Sequence, residues 1–310
     1  MGALARLLGR ALPVVSVVLY IASSLVMTLT NKSIVSQLKF PGTNTLLLIE
    51  CVVTVACLDL CRLLGLRRTP FSRGVLTSLP LVTAAKAGNM MFSFLAMKYT
   101  SIPVYNVLKR SNTIFTLMVD FALRSKVPSY QRAVSVVGMA LGTSVTFLGD
   151  LDFDSLGYAV AILAAVFQAA YLVLSKRAEE HVPGLTSWDL LYYTAFFNTF
   201  LFSPLAYREM ADIQVFMKQH DFWEAASPIG LYVALGASLN YTTFLCTSVN
   251  EPLTTGVAAN AKSVLSTAAG VFIYGSTLSG LGWAGFAMNV TGAFAYTMLG
   301  ISEKSKAKKQ

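Results

Sequence analysis

Residues 156–175 read LGYAVAILAAVFQAAYLVLS, twenty consecutive positions without a charged side chain. The hydrocarbon core of a bilayer is about 30 Å thick, so a transmembrane α-helix needs about 20 mostly apolar residues. This stretch has the required length and composition, and it predicts a membrane-spanning helix. The fold class follows from how often such stretches recur along the chain.

The same window finds nine further apolar segments, with charged residues and helix breakers in the connections between them. The ten segments are 12–30, 43–65, 76–98, 102–124, 130–148, 156–175, 188–207, 228–248, 252–274 and 278–300. No soluble domain fits between these segments. The sequence therefore predicts an all-α membrane protein with ten transmembrane helices in one domain, residues 1–310.

The composition of the whole chain agrees with this prediction. Of its 310 residues, 55% are hydrophobic and only 13% are charged, and the mean hydropathy is +0.61. Soluble domains usually contain about 25% charged residues. The net charge of +9 does not indicate nucleic-acid binding, because the basic residues lie between apolar segments and not on one soluble face. We expect the lipid bilayer, and no nucleic acid, as a partner.

The distribution of basic residues predicts the orientation, because short cytosolic loops are enriched in Lys and Arg. With the N-terminus in the cytosol, the cytosolic connections hold 15 of the 24 Lys and Arg residues and the lumenal connections hold five. Both termini are then cytosolic. The first apolar run exceeds the roughly 7–15 residues of a signal peptide's apolar region, so we expect it to remain as the first transmembrane helix.

Ten helices divide into a first half, 12–148, and a second half, 156–300, followed by a basic tail, 301–310. Each half has five helices, so the second half enters the membrane from the opposite side. The sequence therefore predicts two inverted repeats. Inverted repeats are a common plan in transporters, which bind substrate near the middle of the membrane between the halves.

Five ionisable residues fall inside the predicted helices: Lys86, Lys109, Arg110, Lys262 and Glu50. Ionisable groups within the hydrocarbon region are costly and mark functional sites by default. Lys109 and Lys262 occupy the fourth helix of each half, and each follows a proline. Four cations against one carboxylate leave an excess of positive charge, which suits a phosphorylated anion. The alternative is that the lysines pair with Glu50 and backbone carbonyls; Glu50 is then an ion-pair partner or a gate.

Two aromatic residues on the seventh segment, Tyr192 and Tyr193, are further candidates, because a tyrosine stacks on a base or donates to a phosphate. Packing between helices explains the same pattern. The sequence lacks the G-x-S-x-G, H-E-x-x-H and Walker A motifs and a catalytic pair of carboxylates. We therefore expect no enzymatic activity and no cofactor.

The cysteines and the acidic cluster are not predicted to form a metal site. The four cysteines are Cys51, Cys57, Cys61 and Cys246. All lie inside apolar stretches without a C-x-x-C pair, and we expect buried free thiols. Asp150, Asp152 and Asp154 occupy a tight lumenal turn, which is usually a solvated connection, with weak cation binding as the alternative.

Several motifs, taken in order, resemble the nucleotide-sugar transporters of the solute carrier 35 family. The stretches are 23–32 (SSLVMTLTNK), 107–110 (VLKR), 114–116 (IFT), 190–193 (LLYY) and 245–255, together with Lys262. The first is similar to the first helix of GDP-mannose transporters. The others are similar to the branch that carries UDP-glucuronate and UDP-N-acetylgalactosamine. The resemblance covers residues from about 15 to 300.

The resemblance implies ten helices of the drug/metabolite-transporter type and lumenal delivery of nucleotide sugars by antiport. Tyr193 falls on the tyrosine of the family's F-Y-N-N motif, and Lys262 on the lysine of its G-A-L-N-K motif. The two asparagines of the first motif are Thr194 and Ala195 here. The asparagine of the second, Asn260, is displaced by one position, which rotates its side chain by about 100° around the helix.

These departures put guanine recognition in doubt, and so does Glu50, which stands where the GDP-mannose branch has a glutamine. We therefore predict a carrier that exchanges a UDP-sugar for a nucleoside monophosphate in the Golgi or endoplasmic reticulum. GDP-mannose transport is the alternative. The other hypotheses are a triose-phosphate-like carrier, against which the lack of a plastid transit peptide argues, and a membrane enzyme or non-transporting scaffold.

Two properties stay open in the sequence. The oligomeric state is not defined, and a homodimer is one arrangement that it allows. The last residues, 306–310, read KAKKQ and fit either a K-x-K-x-x retrieval signal or a generic basic tail next to a membrane.

Overall fold

A computed structural model of the protein describes residues 2–65, 73–100, 102–109, 111–125, 129–148, 154–250, 252–274 and 279–307. Within these residues the regular secondary structure consists of helices, joined by short turns, without a strand. The prediction of an all-α protein is therefore confirmed.

The helices are numbered in chain order. They are α1 Gly2–Lys32, α2 Thr43–Leu63, α3 Arg73–Tyr99, α4 Ile102–Lys109, α5 Asn112–Arg124, α6 Tyr130–Leu148, α7 Ser155–His181, α8 Ser187–Gln219, α9 Phe222–Val249, α10 Pro252–Tyr274 and α11 Gly280–Ala307. A π-helical turn, Ser33–Gln37, continues α1. Together α4 and α5 occupy the fourth predicted segment.

The fourth segment is interrupted, which corrects the expectation of one continuous helix. Around the break the Ser111 amide donates to the Leu108 carbonyl at 3.1 Å, and the Ile114 amide donates to the Ser111 carbonyl at 3.0 Å. These bonds span three residues and not four, so the backbone tightens locally. Residues 109–113 at the break read KRSNT, and a window of about 20 residues averages this short polar run with the apolar residues on either side, so the hydropathy window does not detect it. Arg110 lies outside the described residues.

Helices α8 and α9 extend beyond their predicted segments and convert most of the predicted loop 207–228 into helix. α8 has 33 residues and begins at a capping box formed by Thr186 and Asp189. In its extension, the Glu209 carboxylate accepts hydrogen bonds from the backbone amides of Asn44 at 3.1 Å and Thr45 at 2.9 Å. Glu209 thus caps the start of α2, because the first amides of a helix have no partner inside it. Only His220 and Asp221 separate α8 from α9.

The outer surface of the bundle is apolar. Phe272, Phe200 and Val14 are 88%, 65% and 66% exposed, a surface that suits lipid and not water. Three helices of the described part are long and apolar enough to cross a membrane by themselves: Ala11–Val35, Ser155–His181 and Ala226–Val249. The protein therefore has the character of a membrane protein.

The packing of the helices keeps its pattern when the two predicted halves are exchanged. The exchange replaces α1 by α7, α2 by α8, α3 by α9, α4 and α5 by α10, and α6 by α11, and the reverse. The contacts of α2 with α8, of α6 with α11, and of α4 and α5 with α10 each join a helix to its own counterpart, so the exchange leaves them unchanged. The α1–α9 contact maps onto the α3–α7 contact, and both are present. The α1–α10 contact likewise maps onto the α5–α7 contact.

Successive long helices with short connections run in opposite directions. The face at which α1 begins, called the near face below, therefore also holds the ends of α7 and α9. The opposite face, called the far face, holds the ends of α1 and α3 and the connection between α8 and α9.

A lysine ties two helix ends together once in each half. At the far face the Lys32 ammonium donates to the carbonyls of Met97 at 3.2 Å and Thr100 at 3.1 Å, at the end of α3. At the near face the Lys176 ammonium donates to the Ser248 carbonyl at 2.5 Å, at the end of α9. The last carbonyls of a helix have no partner within the helix and carry partial negative charge. Lys32 therefore joins α1 to α3, and Lys176 joins α7 to α9 in the same way.

The α6–α11 pair packs through small residues. A Cβ at Gly142 would lie 2.7 Å from the carbonyl of Gly285 and from the amide of Asn289. Asn289 donates across the pair to the Met139 carbonyl at 2.9 Å and to the Thr143 hydroxyl at 3.1 Å. Close approach and interhelical hydrogen bonds stabilise such pairs in lipid. Both helices lie outside the set that lines the cavity described next.

Two single-residue expectations change with the helices in place. Cys51 and Cys246 are buried free thiols as predicted, whereas Cys57 is exposed, because it lies on the outer face of α2. Asp154 is the N-cap of α7 and accepts a hydrogen bond from the Leu156 amide at 2.9 Å. Asp150 and Asp152 lie outside the described residues.

Candidate functional site

A cavity lies in the centre of the bundle and encloses about 680 Å³, including its opening to solvent. Seven helices line it: α1, α2, α3, α4, α7, α9 and α10. The lining residues come from the later parts of α1 and α3, from the early part of α2 and from α4, so the cavity lies between the middle of the bundle and the far face.

Lys262 reaches the cavity from α10 and is buried. Its ammonium donates to the hydroxyl of Ser24 on α1 at 3.0 Å. The preceding turn of α10 contains Ala258 and Ala259, which pack with Tyr20 on α1, and their small side chains let α1 approach closely. The sequence placed Lys262 at a site between the two halves, and the structure places it on the cavity wall between α1 and α10.

Lys109 reaches the same cavity from the last residue of α4, beside the helix break. Its ammonium donates to the Ser93 hydroxyl at 3.0 Å and to the Tyr105 hydroxyl at 2.6 Å, and it lies 5.1 Å from the centre of the Tyr105 ring. Lys109 and Lys262 are close enough to repel each other electrostatically. Among the described residues no carboxylate lies within ion-pair distance of either lysine. Together they form a cationic wall that is held only by neutral groups.

Glu50 faces the cavity from α2, across from this wall. One of its oxygens accepts a hydrogen bond from the Asn240 amide on α9 at 2.5 Å. The Tyr232 hydroxyl on α9 acts on the same carboxylate, whose second oxygen keeps acceptor capacity. A Cβ at Gly236 would overlap the carboxylate, so glycine is required there for α2 and α9 to approach. Lys86 is the cation that acts electrostatically on Glu50.

Lys86 lies behind the cavity wall and not on it. Its ammonium donates to the Thr194 hydroxyl on α8 at 3.0 Å and lies 4.8 Å from the centre of the Phe244 ring. The Thr194 hydroxyl in turn donates to the Leu190 carbonyl at 2.6 Å. Lys86 and Thr194 therefore link α3 to α8 next to Glu50.

The structure places Tyr193 and Tyr192 away from the cavity. Tyr193 is buried in a hydrophobic cluster with Leu79 and Leu172, among others. Tyr192 packs against Tyr193 with ring centres 5.3 Å apart and stacks on Phe196 at 6.2 Å. Neither tyrosine lines the cavity, so a direct contact with a ligand requires α8 to move. Arg110 and the side chain of Asn260 lie outside the described residues.

Much of the cavity wall was not predicted from the sequence. Along α1, Tyr20, Ser24, Thr28 and Asn31 line it, at spacings that put them on one face of a helix. This polar stripe in an apolar helix was the signal that the sequence offered. From other helices come three amides and three tyrosines: Asn89, Gln168, Asn240, Tyr105, Tyr171 and Tyr232.

Two of the amides on the wall have unpaired oxygens. The side-chain oxygens of Asn31 and Gln168 are buried without a hydrogen-bond partner. A buried polar atom without a partner is costly, and a polar ligand in the cavity would satisfy both. The wall therefore offers acceptors as well as the cationic donors.

The near face is closed by contacts between the two halves. The Arg124 guanidinium on α5 bonds Glu180 on α7 at 2.6 Å and Asp120 on its own helix at 2.7 Å. The Asn250 amide after α9 donates to the Ser16 hydroxyl on α1 at 3.2 Å. These contacts join the two halves at the near face, as the Glu209 contacts between α8 and α2 do at the far face, and the cavity lies between the middle of the bundle and the far face.

Comparison with known proteins gives a family match over nearly the whole chain. Residues 12–297 match the model of the Triose-phosphate Transporter family. The chain is 28% identical over 303 residues to the UDP-galactose/UDP-glucose transporter 7 of Arabidopsis thaliana, covering 96% of this chain and 93% of that protein.

Two further relatives match at similar levels. The chain is 25% identical to the human nucleotide sugar transporter SLC35D2, over 98% of this chain and 91% of that one. It is 26% identical to the GDP-fucose transporter 1 of Nematostella vectensis, over 97% and 93%. One crystal structure superposes with a TM-score of 0.60 at 18% identity, covering 94% of this chain and 96% of that one, and shares the fold.

Proposed function

The chain belongs to the Triose-phosphate Transporter family, and from this premise we propose that it exchanges a nucleotide sugar for a nucleoside monophosphate across a Golgi or endoplasmic-reticulum membrane. The protein is a transporter and not an enzyme, because its family and its relatives are transporters. The nucleotide sugar enters the lumen, and the monophosphate returns to the cytosol.

One observation carries this proposal. Lys109 and Lys262 line a central cavity, and among the described residues their ammonium groups are bonded only to hydroxyls. An uncompensated cation in a membrane interior is costly, and two of them on one wall suit a diphosphate with its two negative charges. A site of this kind is unfavourable to leave empty while the carrier reorients, which favours exchange over one-way transport.

A UDP-sugar is the substrate that we favour. Two of the relatives are named for UDP-sugars or nucleotide sugars and one for GDP-fucose, so GDP-mannose or another GDP-sugar is the alternative. A triose phosphate, after which the family is named, would contact Lys109 and Lys262 and leave the rest of the cavity wall without a ligand contact. The amides of Asn31, Asn89, Gln168 and Asn240 favour the larger ligand, because a nucleotide sugar has groups that reach them.

The mechanism we propose is alternating access between two inverted five-helix repeats. Two observations support the repeat: the helix contacts keep their pattern when the halves are exchanged, and the Lys32 and Lys176 ties occupy matching places in the two halves. Contacts between the halves lie at both faces, and the cavity lies nearer the far face; we take this arrangement as one state of the cycle. With the near face in the cytosol, its cavity lies toward the lumen.

Exchange is tested with purified protein in liposomes. Vesicles preloaded with UMP or GMP are expected to take up labelled UDP-sugar far faster than empty vesicles, because the loaded carrier reorients and the empty carrier does not. A panel of labelled nucleotide sugars and triose phosphate identifies the substrate. Equal uptake rates with and without internal nucleotide would contradict antiport, and uptake of triose phosphate alone would contradict the substrate class.

A further inference from the structure

We propose that Glu50 sets the sugar specificity of this transporter: its carboxylate receives the sugar end of the substrate and disfavours sugars that carry a negative charge. The inference rests on the proposed function and deepens it. It predicts that a neutral hexose is carried in preference to a uronic acid.

The cavity has opposite charges on opposite walls. Lys109 and Lys262 line the side formed by α4 and α10, while Glu50 lines the side formed by α2 and α9. α1 packs against both α9 and α10, so it connects the two walls. A ligand whose anionic centre rests on the lysines therefore extends one of its ends toward Glu50.

Both walls lie at about the same depth in the bundle. Lys262 is bonded to Ser24, and the neighbouring Ser23 hydroxyl lies 2.9 Å from the Thr242 hydroxyl on α9. Asn240, the partner of Glu50, precedes Thr242 by two residues, which is about 3 Å along a helix. Glu50 therefore faces the lysine wall across the cavity, and a sugar next to a lysine-bound diphosphate reaches it.

The aromatic residues of the wall indicate where the base, at the other end of the ligand, lies. Tyr105 and Tyr171 are each near enough to Tyr20 to act on it electrostatically, all three line the cavity, and the Tyr105 hydroxyl bonds Lys109. Planar bases stack on aromatic rings, and Gln168 beside Tyr20 offers an unpaired amide oxygen to the donor of a base. The base is thus placed among the tyrosines, and the sugar is placed at Glu50.

The chemistry of Glu50 fits a sugar hydroxyl. Its second oxygen keeps acceptor capacity, and the neighbouring amides of Asn240 and Asn89 on the wall both donate and accept. Sugar hydroxyls do the same, so such a wall satisfies a hexose at several positions. A carboxylate on the sugar would instead face the Glu50 carboxylate, and like charges in a partly desolvated site are strongly disfavoured.

The charge balance leads to the same preference. Lys86 acts electrostatically on Glu50 but lies behind the wall, where it is bonded to Thr194, so the two wall lysines are left to balance the ligand. A UDP-hexose carries two negative charges and UMP carries nearly two at neutral pH. Both match the lysine pair, whereas UDP-glucuronate brings a third charge that no described cation of the wall receives.

The test uses UDP-glucose and UDP-glucuronate, which differ only in the oxidation state of C6 of the sugar. In UMP-loaded liposomes, UDP-glucuronate is expected to compete for labelled UDP-glucose uptake at least about tenfold less well than unlabelled UDP-glucose, a difference of about 1.4 kcal/mol. Glu50→Gln removes the charge and keeps the shape, and it should narrow the difference to about threefold or less. Glu224→Gln, at an exposed carboxylate in the first turn of α9, removes the same charge outside the cavity and should leave the difference unchanged.

Each outcome separates this inference from the proposed function. Uptake of UDP-glucose with equal competition by the two sugars overturns the inference and leaves the function standing, whereas no uptake of any nucleotide sugar overturns the function. If Glu50→Gln instead changes the competition between UMP and GMP, and not that between the two sugars, Glu50 reads the base and the inference is wrong. If Glu50→Gln does not transport, thermal stabilisation of the wild-type protein by the two UDP-sugars decides: equal stabilisation overturns the inference.

Discussion

At the scale of single residues, the central cations are solvated by protein hydroxyls. Lys262 relies on Ser24, and Lys109 relies on Ser93 and Tyr105. A hydroxyl satisfies one donor of an ammonium group but does not neutralise its charge. The charge therefore remains available to an anion that enters the cavity.

Lys262 provides the most direct test of this arrangement. Lys262→Ala is expected to lower exchange at least about tenfold, the effect of losing roughly 1.4 kcal/mol of anion binding. The thermal stability should hold, since the change relieves repulsion with Lys109 in the empty carrier. Lys262→Arg should recover part of the activity at best, because a planar guanidinium does not replace a compact ammonium. Uptake in liposomes and a melting curve measure the two properties.

Tyr193→Phe is the matched comparison for Lys262→Ala. It removes one hydroxyl, keeps the ring, and alters a side chain in a packing cluster away from the cavity. It should weaken exchange less than Lys262→Ala does. Near wild-type transport by Lys262→Ala with unchanged affinity would mean that the lysine is structural and that the anion site lies elsewhere.

The sequence predicted the cationic part of the cavity better than its neutral part. A lysine inside an apolar run is conspicuous because its burial is costly, and both Lys109 and Lys262 were identified in this way. Asn240 and Gln168 were not identified as candidates, because a single amide in a membrane helix is compatible with helix packing as well as with ligand binding. Which amides face a cavity depends on how the helices rotate, and hydropathy does not encode rotation.

At the scale of helices, the near face is sealed by contacts between the halves, and these should weaken first when the carrier reorients. The Arg124–Glu180 bond joins α5 to α7. The Glu180 side chain is 39% exposed, so solvent screening limits the contribution to roughly 0.5–1 kcal/mol. Glu180→Gln should therefore raise the population with an open near face about two- to fivefold.

Cys246 reports that opening, because it is buried on α9 close to Asn250. In a background in which the other three cysteines are alanine, maleimide labelling of Cys246 should be about two- to fivefold faster in Glu180→Gln. Glu209→Gln, which acts at the far face, is the control and should not accelerate labelling. Equal labelling of Glu180→Gln and the parent would show that this bond does not hold the near face closed.

The sequence predicted the apolar parts of the helices and missed their polar parts. The fourth segment breaks beside Lys109 in a short polar run, residues 109–113 (KRSNT), and the extension of α8 carries charged residues such as Arg208 and Glu209. A hydropathy window averages over about 20 residues, so it overlooks a short turn between two apolar stretches and a polar helix that continues beyond an apolar one. Capping chemistry, as at Thr186 and Asp189, sets the true helix starts.

At the scale of the whole molecule, the basic residues predict that the near face is cytosolic and the far face lumenal. A glycosylation acceptor inserted with a flexible linker between His220 and Asp221 should be glycosylated, since that connection lies at the far face. The same insertion at Gly184, between α7 and α8, should not be. Endoglycosidase sensitivity of the two variants measures this, and the reverse pattern would invert the orientation and the direction of transport.

The two-residue link between α8 and α9 also has a practical consequence for imaging. At 1.5 Å per residue α8 is about 50 Å long, well beyond a hydrocarbon core of about 30 Å, so we expect the α8–α9 hairpin to project from the far face. Both arms are continuous with helices that pack in the bundle. A soluble helical domain spliced into this hairpin in register, in place of His220 and Asp221, would be held rigidly and would serve as an alignment marker for electron microscopy of a 33.4 kDa protein.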